Sequence, residues 1–371
     1  MQADPDTPPP MSAHPLTRLF NPASVAIVGA GEDAGRVGAA VMRNLAAGGF
    51  RGALYPVNPR HARVLDRQAY PSLDALPAAP DLVVLATPPA TLPDLVAAAG
   101  ARGAGAVAIL SSGLTDRTPD DAGLLARVAE VARDHRVRVL GPNSLGLLRP
   151  SIGLNASFAG TAARPGAMAL VSQSGGLVSA MLDWAMADGL GFSSVISLGN
   201  QLDVDFAEAL DFLTNDAQTD SIALYVESVH GARRFMSALR AAARIKPVVV
   251  LKSGRGPAGS LAASTHTGAM ASPDEAFDAA LRRAGAVRVA NYTQLFGAAK
   301  YLSSRFRPVG HHLAIVTNGG GPGVMAVDRA TESGLAMAEF APDTVKTLDE
   351  LLPQSWSRGN PVDVLEDAGP E

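Results

Sequence analysis

Short apolar runs rich in β-branched residues alternate with Ala-rich amphipathic segments through the first 140 residues: "SVAIVGA", "GALYPVN", "DLVVLAT", "GAVAILSSG" and "VRVLGPNS". A strand covered by helices on both faces is apolar along its whole length, so this rhythm predicts a parallel sheet with crossover helices, an α/β fold. After Pro150 the looser "SIGLNASFAGTAARPG" interrupts the rhythm. A second series follows in "AMALVSQSG", "FSSVISLGN", "SIALYVES" and "KPVVVLKSG", and a third opening in "HHLAIVTNGGGPGVMAVDRATESG". The expected organisation is a disordered tail over 1–15, one α/β domain over 16–150 and another over 160–306. A third begins at 310–371 and is too short to be complete. It is either cut short or completed by a partner.

Composition removes several function classes. The chain of 371 residues is 47% apolar and 18% charged, which describes folded protein with room for several cores. A net charge of -4, with no cluster of Lys or Arg, supplies no field for a nucleic acid backbone. There is no cysteine, and hence no disulfide, thiolate metal site or Cys nucleophile. No apolar stretch approaches the roughly 20 residues that span a bilayer. The leader "MQADPDTPPPMSAHP" lacks the basic start and apolar run of a signal peptide. A cytoplasmic protein without membrane or nucleic acid partners is expected.

Three turns joining a strand to a helix carry the glycines. In the first, Gly29, Gly31 and Gly35 let backbone N–H groups and a helix N-terminus approach a phosphate. The spacing is GxGxxxG, one residue longer than the dinucleotide fingerprint, and "YPVNPR" ends the second strand without the acid that grips a ribose 2'-hydroxyl. Asn58 and Arg60 stand there instead and suit an adenine nucleotide with an extra phosphate, such as CoA or NADP. A structural glycine turn with a solvated arginine is the alternative. In the second turn, Ser172, Gln173, Ser174, Gly175 and Gly176 precede a helix running to about Ala187, with Gly189 as its C-terminal cap. No acidic residue lies in its first turn, so an anion could satisfy the free N–H groups; otherwise Ser174 is an ordinary N-cap. The third turn, Asn318, Gly319, Gly320 and Gly321 with Gly323 beyond, repeats the arrangement.

His266 lies in a loop of small residues, "LAASTHTGAMASPDEAFDAALRRAG", upstream of the helix start Ser272, Pro273, Asp274 and Glu275. Histidine has the pKa and the nucleophilic nitrogen to carry a phosphoryl group near neutral pH. Its other nitrogen needs an acceptor, and Glu227 at the end of "SIALYVES" is the candidate. A loop histidine bonded only to backbone is the competing reading. The other six histidines lack this setting: His14 falls in the tail, His311 and His312 precede a strand, and His61, His135 and His230 lie in polar connections.

In order and spacing, "SVAIVGA", "YPVNPR", "VRVLGPNSLGLLRP", "ALVSQSGGL", "SLGNQLDVDFAEALDFL", "STHTGAMA" and "TNGGGPGVMAVD" with "RGNPVDV" resemble the NDP-forming acyl-CoA synthetases. That superfamily includes ADP-forming acetate–CoA ligase and the succinyl-CoA synthetase alpha subunit. The resemblance runs from Leu16 to the C-terminus. It implies a Rossmann-like CoA-binding domain followed by flavodoxin-like ligase domains. ATP or ADP with Mg would be held by an ATP-grasp unit, separate or fused, that is absent from this chain. It further implies that His266 becomes phosphohistidine with Glu227 supporting it, and that the helices after "SQSGG" and "NGGGPG" hold phosphate in turn. The CoA site would then be lined by Gly29, Gly31, Gly35, Val57, Asn58, Arg60, Thr87, Pro88, Ser112 and Asn143. The implied substrates are short-chain acyl-CoA and phosphate, and an oligomer is expected. The histidine motif departs mildly from the family's "ASHTGALA" and keeps Thr267 and Gly268. Two other readings stand beside this one. A CoA-sensing module of a protein acetyltransferase would not need His266, and an NAD(P)-dependent oxidoreductase would leave two of the three turns unused.

Overall fold

The computed structural model describes residues 14–114, 118–256, 258–259, 261, 273–304 and 309–366. They fall into two compact units, residues 1–305 and 306–371.

The first sheet of the larger unit is built from β1 (Ser24–Val28), β2 (Ala53–Val57), β5 (Leu82–Leu85), β6 (Ala106–Ile109) and β7 (Arg138–Leu140). A two-residue ribbon, β3 (Arg63–Val64) with β4 (Arg67–Gln68), interrupts the path from β2 to β5. The order is β2-β1-β5-β6-β7 and every pairing is parallel. Val25, Ala26 and Ile27, with Leu82 to Leu85, are fully buried, so both faces are covered, as the continuous apolar runs require. The winding reverses between β1 and β5, which makes their C-terminal ends the topological switch point.

The second sheet repeats this winding. It contains β8 (Gly146–Arg149), β9 (Leu154–Ser157), β10 (Arg164–Ser172), β11 (Gly191–Ser197), β12 (Ser221–Val226), β13 (Val248–Lys252) and β14 (Val287–Val289), in the order β14-β13-β12-β10-β11-β8-β9. Strands β10 to β14 are parallel, with the reversal between β10 and β12. The segment between β7 and β10 supplies β8 and β9, an antiparallel hairpin on the β11 edge. Arg149 of that hairpin is buried, and its guanidinium forks onto Asp216 at 2.8 and 3.1 Å.

One apolar cluster joins the two sheets. Val25, Ile27, Met42 and Leu45 pack in it with Leu147, Ala156, Phe206 and Leu210. Asn44 Nδ2 reinforces the junction by donating to the carbonyls of Ser157 and Ala159 at 2.8 and 2.9 Å. Two windings therefore share a core, and they form one unit for that reason. Within the stretch expected as a tail, His14 Nε2 pairs with Asp211 at 3.0 Å and its ring packs edge-on against Phe212. The apolar anchor Leu16, Leu19 and Phe20, all fully buried, holds His14 in place. Residues 1–13 lie outside the described residues.

The smaller unit contains β15 (His312–Leu313), β16 (Val316–Thr317), β17 (Ala336–Met337) and β18 (Val362–Asp363), paired in parallel as β15 with β17 and β16 with β18. Asn360, in the "RGNPVDV" motif, spans the gap between these pairs. Its Oδ1 accepts from Ile315 N at 3.0 Å, and its Nδ2 donates to the carbonyls of Leu313 and Ala338. Among the described residues no helix is long and apolar enough to cross a membrane.

Candidate functional site

A cleft of about 920 Å³ opens at the switch point of the first sheet. Gly29, Gly31, Gly35, Val57, Asn58, Arg60, Thr87 and Pro88 all line it. Gly29 has φ +87°, and a Cβ there would stand 2.6 Å from the Ala86 carbonyl oxygen, so no other residue fits between β1 and β5. A Cβ on Gly31 would meet nothing within 4 Å, so this glycine faces open space. Asn58 shapes the wall: its amide donates to Ala30 O at 2.5 Å and accepts from Arg60 N at 2.8 Å. That tie binds the end of β2 to the glycine turn and presents Arg60 beside it.

Two expected residues stand elsewhere. Ser112 and Asn143 are not in the lining. Asn143, at φ +57°, donates its N–H to Ser111 O at 2.9 Å and meets Asn200 of the second sheet at 3.4 Å, so it belongs to the junction between the sheets. The cleft also contains residues that sequence reasoning does not single out, among them Arg36, His61, Ser72, Asp74 and Thr91. In sequence His61 lies in a plain polar connection, whereas the loop after β2 carries it to the cleft. Gly38 is a further residue of this kind. A lone glycine inside an amphipathic helix signals close packing, and a Cβ there would meet the Gly29 carbonyl oxygen at 2.0 Å.

The second switch point gathers the other candidates. Ser172 ends β10, and its hydroxyl donates to Ser174 O at 3.0 Å while accepting from Ser174 N at 3.1 Å. Ser174 caps the helix Gly175–Ala187 by accepting from Leu177 N at 3.4 Å. The N–H groups of Gly175 and Gly176 have no hydrogen-bond partner among the described residues, and no acid lies in that first turn. An anion fits there. Gln173 turns toward β12. Its Oε1 accepts from Glu227 N at 2.5 Å and from Ser228 N at 3.0 Å, and its Nε2 donates to Ser228 Oγ at 3.1 Å.

Glu227 is buried to 8% exposure in a polar surround. Burial pushes the Tyr225 phenol up to about 12, and the neighbouring Glu227 carboxylate adds to the shift, so this hydroxyl remains a neutral donor beside it. The Tyr292 phenol is raised too, by burial first and then by Glu227. His266 lies outside the described residues, as does Ser272; the helix that follows runs Asp274–Ala284 with Pro273 at its N-cap.

In the smaller unit the third turn reproduces the second. Thr317 Oγ1 donates to Gly319 O at 3.0 Å and accepts from Gly319 N at 3.2 Å, ahead of the helix Gly320–Glu332. This helix end does have an acidic neighbour, contrary to the sequence reading. Asp363, paired with Thr317 across β16 and β18, brings its carboxylate to 3.3 Å from a Cβ position on Gly320. The acid is far away in sequence and enters only through strand pairing.

Residues 23–150 match the CoA binding domain family, and residues 165–302 match the succinyl-CoA ligase like flavodoxin domain family. The chain is 39% identical over 356 residues to acetate–CoA ligase [ADP-forming] I of Archaeoglobus fulgidus, covering 96% of this chain and 51% of that protein. It is 36% identical over 353 residues to the acetate–CoA ligase [ADP-forming] I subunit alpha of Pyrococcus furiosus, covering 94% and 76%. The chain thus spans about half the length of the Archaeoglobus fulgidus relative and three quarters of the Pyrococcus furiosus subunit. Its fold matches the dinucleotide forming acetyl-coenzyme A synthetase 1 of Ca. Korarchaeum cryptofilum, solved with phosphate and ADP, at TM-score 0.89 and 31% identity over 95% of this chain and 76% of that one. With identity above 30% across most of a relative's length, and both domain families in the expected order, this chain belongs to the NDP-forming acyl-CoA synthetase family.

Proposed function

We propose that this chain is the CoA-binding and phosphoryl-carrying part of an acid–CoA ligase of the acetate–CoA ligase (ADP-forming) kind. One observation carries the reading. Gln173, inside the turn suited to an anion, is hydrogen-bonded to the backbone of Glu227, so the anion turn and the residue expected to orient His266 form one structure.

CoA lies in the first cleft, its phosphates against the N–H groups of Gly29 to Gly35 and against Arg60. Val57, Thr87 and Pro88 line its path, which leads past Ser112 toward the junction at Asn143. Phosphate is held by Ser174, Gly175 and Gly176. A phosphate oxygen attacks the thioester carbonyl carbon, the C–S bond breaks, and CoA leaves as the thiol after taking a proton. His266 then attacks phosphorus in the acyl phosphate. The P–O bond to the acyl group breaks and the carboxylate departs. Glu227 accepts the hydrogen bond from the other ring nitrogen and stabilises the charge that the ring develops. The small residues around His266 suit a loop that delivers the phosphoryl group to ADP. The nucleotide, with Mg, belongs to an ATP-grasp partner or fused domain, which makes the working enzyme a larger assembly. The turn Asn318 to Gly321 serves as the second phosphate position, and Asp363 weakens it.

Labelled phosphate with acetyl-, propionyl- or butyryl-CoA should label the chain at His266 with a bond that acid breaks and alkali leaves. His266→Asn should abolish the label. CoA binding with no labelling by any of the three would overturn the proposal.

A further inference from the structure

Lys252, the last residue of β13, is a lysine with 2% exposure, and nothing in the reaction described above uses it. Its Nζ donates to Glu227 O at 3.1 Å and to Ser253 O at 2.7 Å, and the ammonium stands 5.6 Å from the centre of the Phe277 ring. Strand β12 ends between two neighbours, β10 and β13. Glu227 is held from both. Gln173, just after β10, accepts from its N–H, and Lys252, at the end of β13, donates to its carbonyl. Both backbone groups of the one acidic residue at this strand end are therefore fixed by side chains of the flanking strands.

A clamp of this kind does not require a charge. Methionine has similar length and would fill the same space without the cost of removing an ammonium from water. Burial indeed pushes Lys252 below the usual lysine range, with Asp274 and then Glu227 working against that shift and Arg288 adding to it. Asp274 is already engaged by Arg288 at 2.5 Å and approached by Arg255 at 4.0 Å. Its charge is thus largely answered without the lysine. Tyr225 and Tyr292 also feel the Glu227 charge, and both phenols are neutral at physiological pH. Lys252 is a cation that bonds the Glu227 backbone and whose charge interacts with that of the carboxylate.

We infer that Lys252 is a positioning residue for Glu227: it fixes the glutamate's backbone from the β13 side and supplies the positive charge that keeps the carboxylate ionised. The inference rests on the ligase reading for the role of Glu227 toward His266, but its physical content concerns Lys252 and Glu227 alone. An ionised carboxylate is what the histidine needs when its ring becomes positive, and an ammonium a few ångströms from the glutamate backbone resists protonation of that group as the pH falls.

The test uses the full chain with Lys252→Met and Lys252→Gln. Methionine removes charge and tether, and glutamine removes the charge while retaining a donor. Side-chain carboxyl titration by carbon-detected NMR, with the Glu227 signal assigned through Glu227→Gln, should show the Glu227 midpoint moving up by about one pH unit in both variants. Histidine phosphorylation from acyl-CoA and phosphate should slow at least tenfold at pH 6, with its acid limb displaced by the same interval, while CoA affinity stays within twofold. If the methionine variant does not fold, the glutamine variant carries the same expectation. An unmoved Glu227 titration overturns the inference. If the unaltered chain takes no label, the ligase reading fails and the carboxyl titration still decides the role of Lys252.

Discussion

The backbone of Gly38 presses on the turn at Gly29: a Cβ on Gly38 would stand 2.0 Å from the Gly29 carbonyl oxygen. The helix Val37–Ala47 can lie against β1 only because that atom is missing. Gly31, two residues past Gly29 in the same turn, meets nothing within 4 Å. The two glycines should therefore fail differently. Gly38→Ala should cost about 1 to 3 kcal/mol or more of stability through a displaced helix. Gly31→Ala should leave the unfolding free energy within about 0.5 kcal/mol of the original and instead weaken CoA binding. Urea unfolding and calorimetric titration of CoA separate the two, and a stable Gly38→Ala protein would contradict the packing argument.

Arg60 begins its residue with an N–H bound to Asn58 Oδ1 at 2.8 Å, which sets the backbone at the cleft wall. Replacing it with Ala should weaken CoA by about 1 to 3 kcal/mol, the range for a charge-assisted contact, and weaken dephospho-CoA less. Equal losses for both ligands would remove Arg60 from the 3'-phosphate.

Gln173 accepts from the backbone N–H groups of two buried residues, Glu227 and Ser228. Gln173→Leu should destabilise the chain by about 1 to 3 kcal/mol, because both donors are left unmet in a buried place. Histidine phosphorylation should slow about tenfold or more, while CoA affinity stays as it was. A variant that loses stability but phosphorylates at the original rate would confine Gln173 to a structural role.

Arg149 and Asp216 are 3% and 7% exposed and face each other at 2.8 Å. Burial works to raise the Asp216 carboxyl, and hydrogen bonds from Arg149 and Thr219 overcome it, so the group titrates below the ordinary value of 3.8. The unfolded chain takes up that proton first. The stabilisation is therefore complete above the ordinary value and is lost as pH falls through the folded one. Arg149→Met should cost about 3 to 5 kcal/mol near pH 7 by stranding a buried carboxylate, and the pH slope should reverse, with stability improving as Asp216 takes a proton. Adding Asp216→Leu should recover most of the loss. Unfolding free energies measured from pH 3 to 7 test the sign directly.

Asp363 places a negative charge at the N-terminal end of the helix Gly320–Glu332. Asp363→Asn should raise the affinity of this turn for phosphate several-fold, seen as shifts of the Gly319 to Gly321 amide signals at lower phosphate concentration. Unchanged titration curves would mean that the carboxylate does not compete with an anion there.

The windings were legible along the chain because a strand covered on both faces must be apolar throughout, and β1, β2, β5, β6 and β7 all fall within runs read from the sequence. The glycine turns were legible for a similar reason: Gly29 needs a positive φ and room for Ala86, and few residue types satisfy such local demands. Helix caps belong to the same class, and the helix that opens at Gly175 ends at Ala187 ahead of Gly189 as its spacing predicts. Contacts between distant segments were not legible. Pairing of β16 with β18 put Asp363 at a helix end that looks free of acids in sequence, and the loop after β2 carried His61 into the cleft. Asn143 went to the junction between the sheets and Lys252 to the carbonyl of Glu227. Local backbone preference and burial periodicity act over a few residues and leave a mark in the chain. Which side chain meets which across two strands depends on sheet order and register, and those are settled only when the cores close.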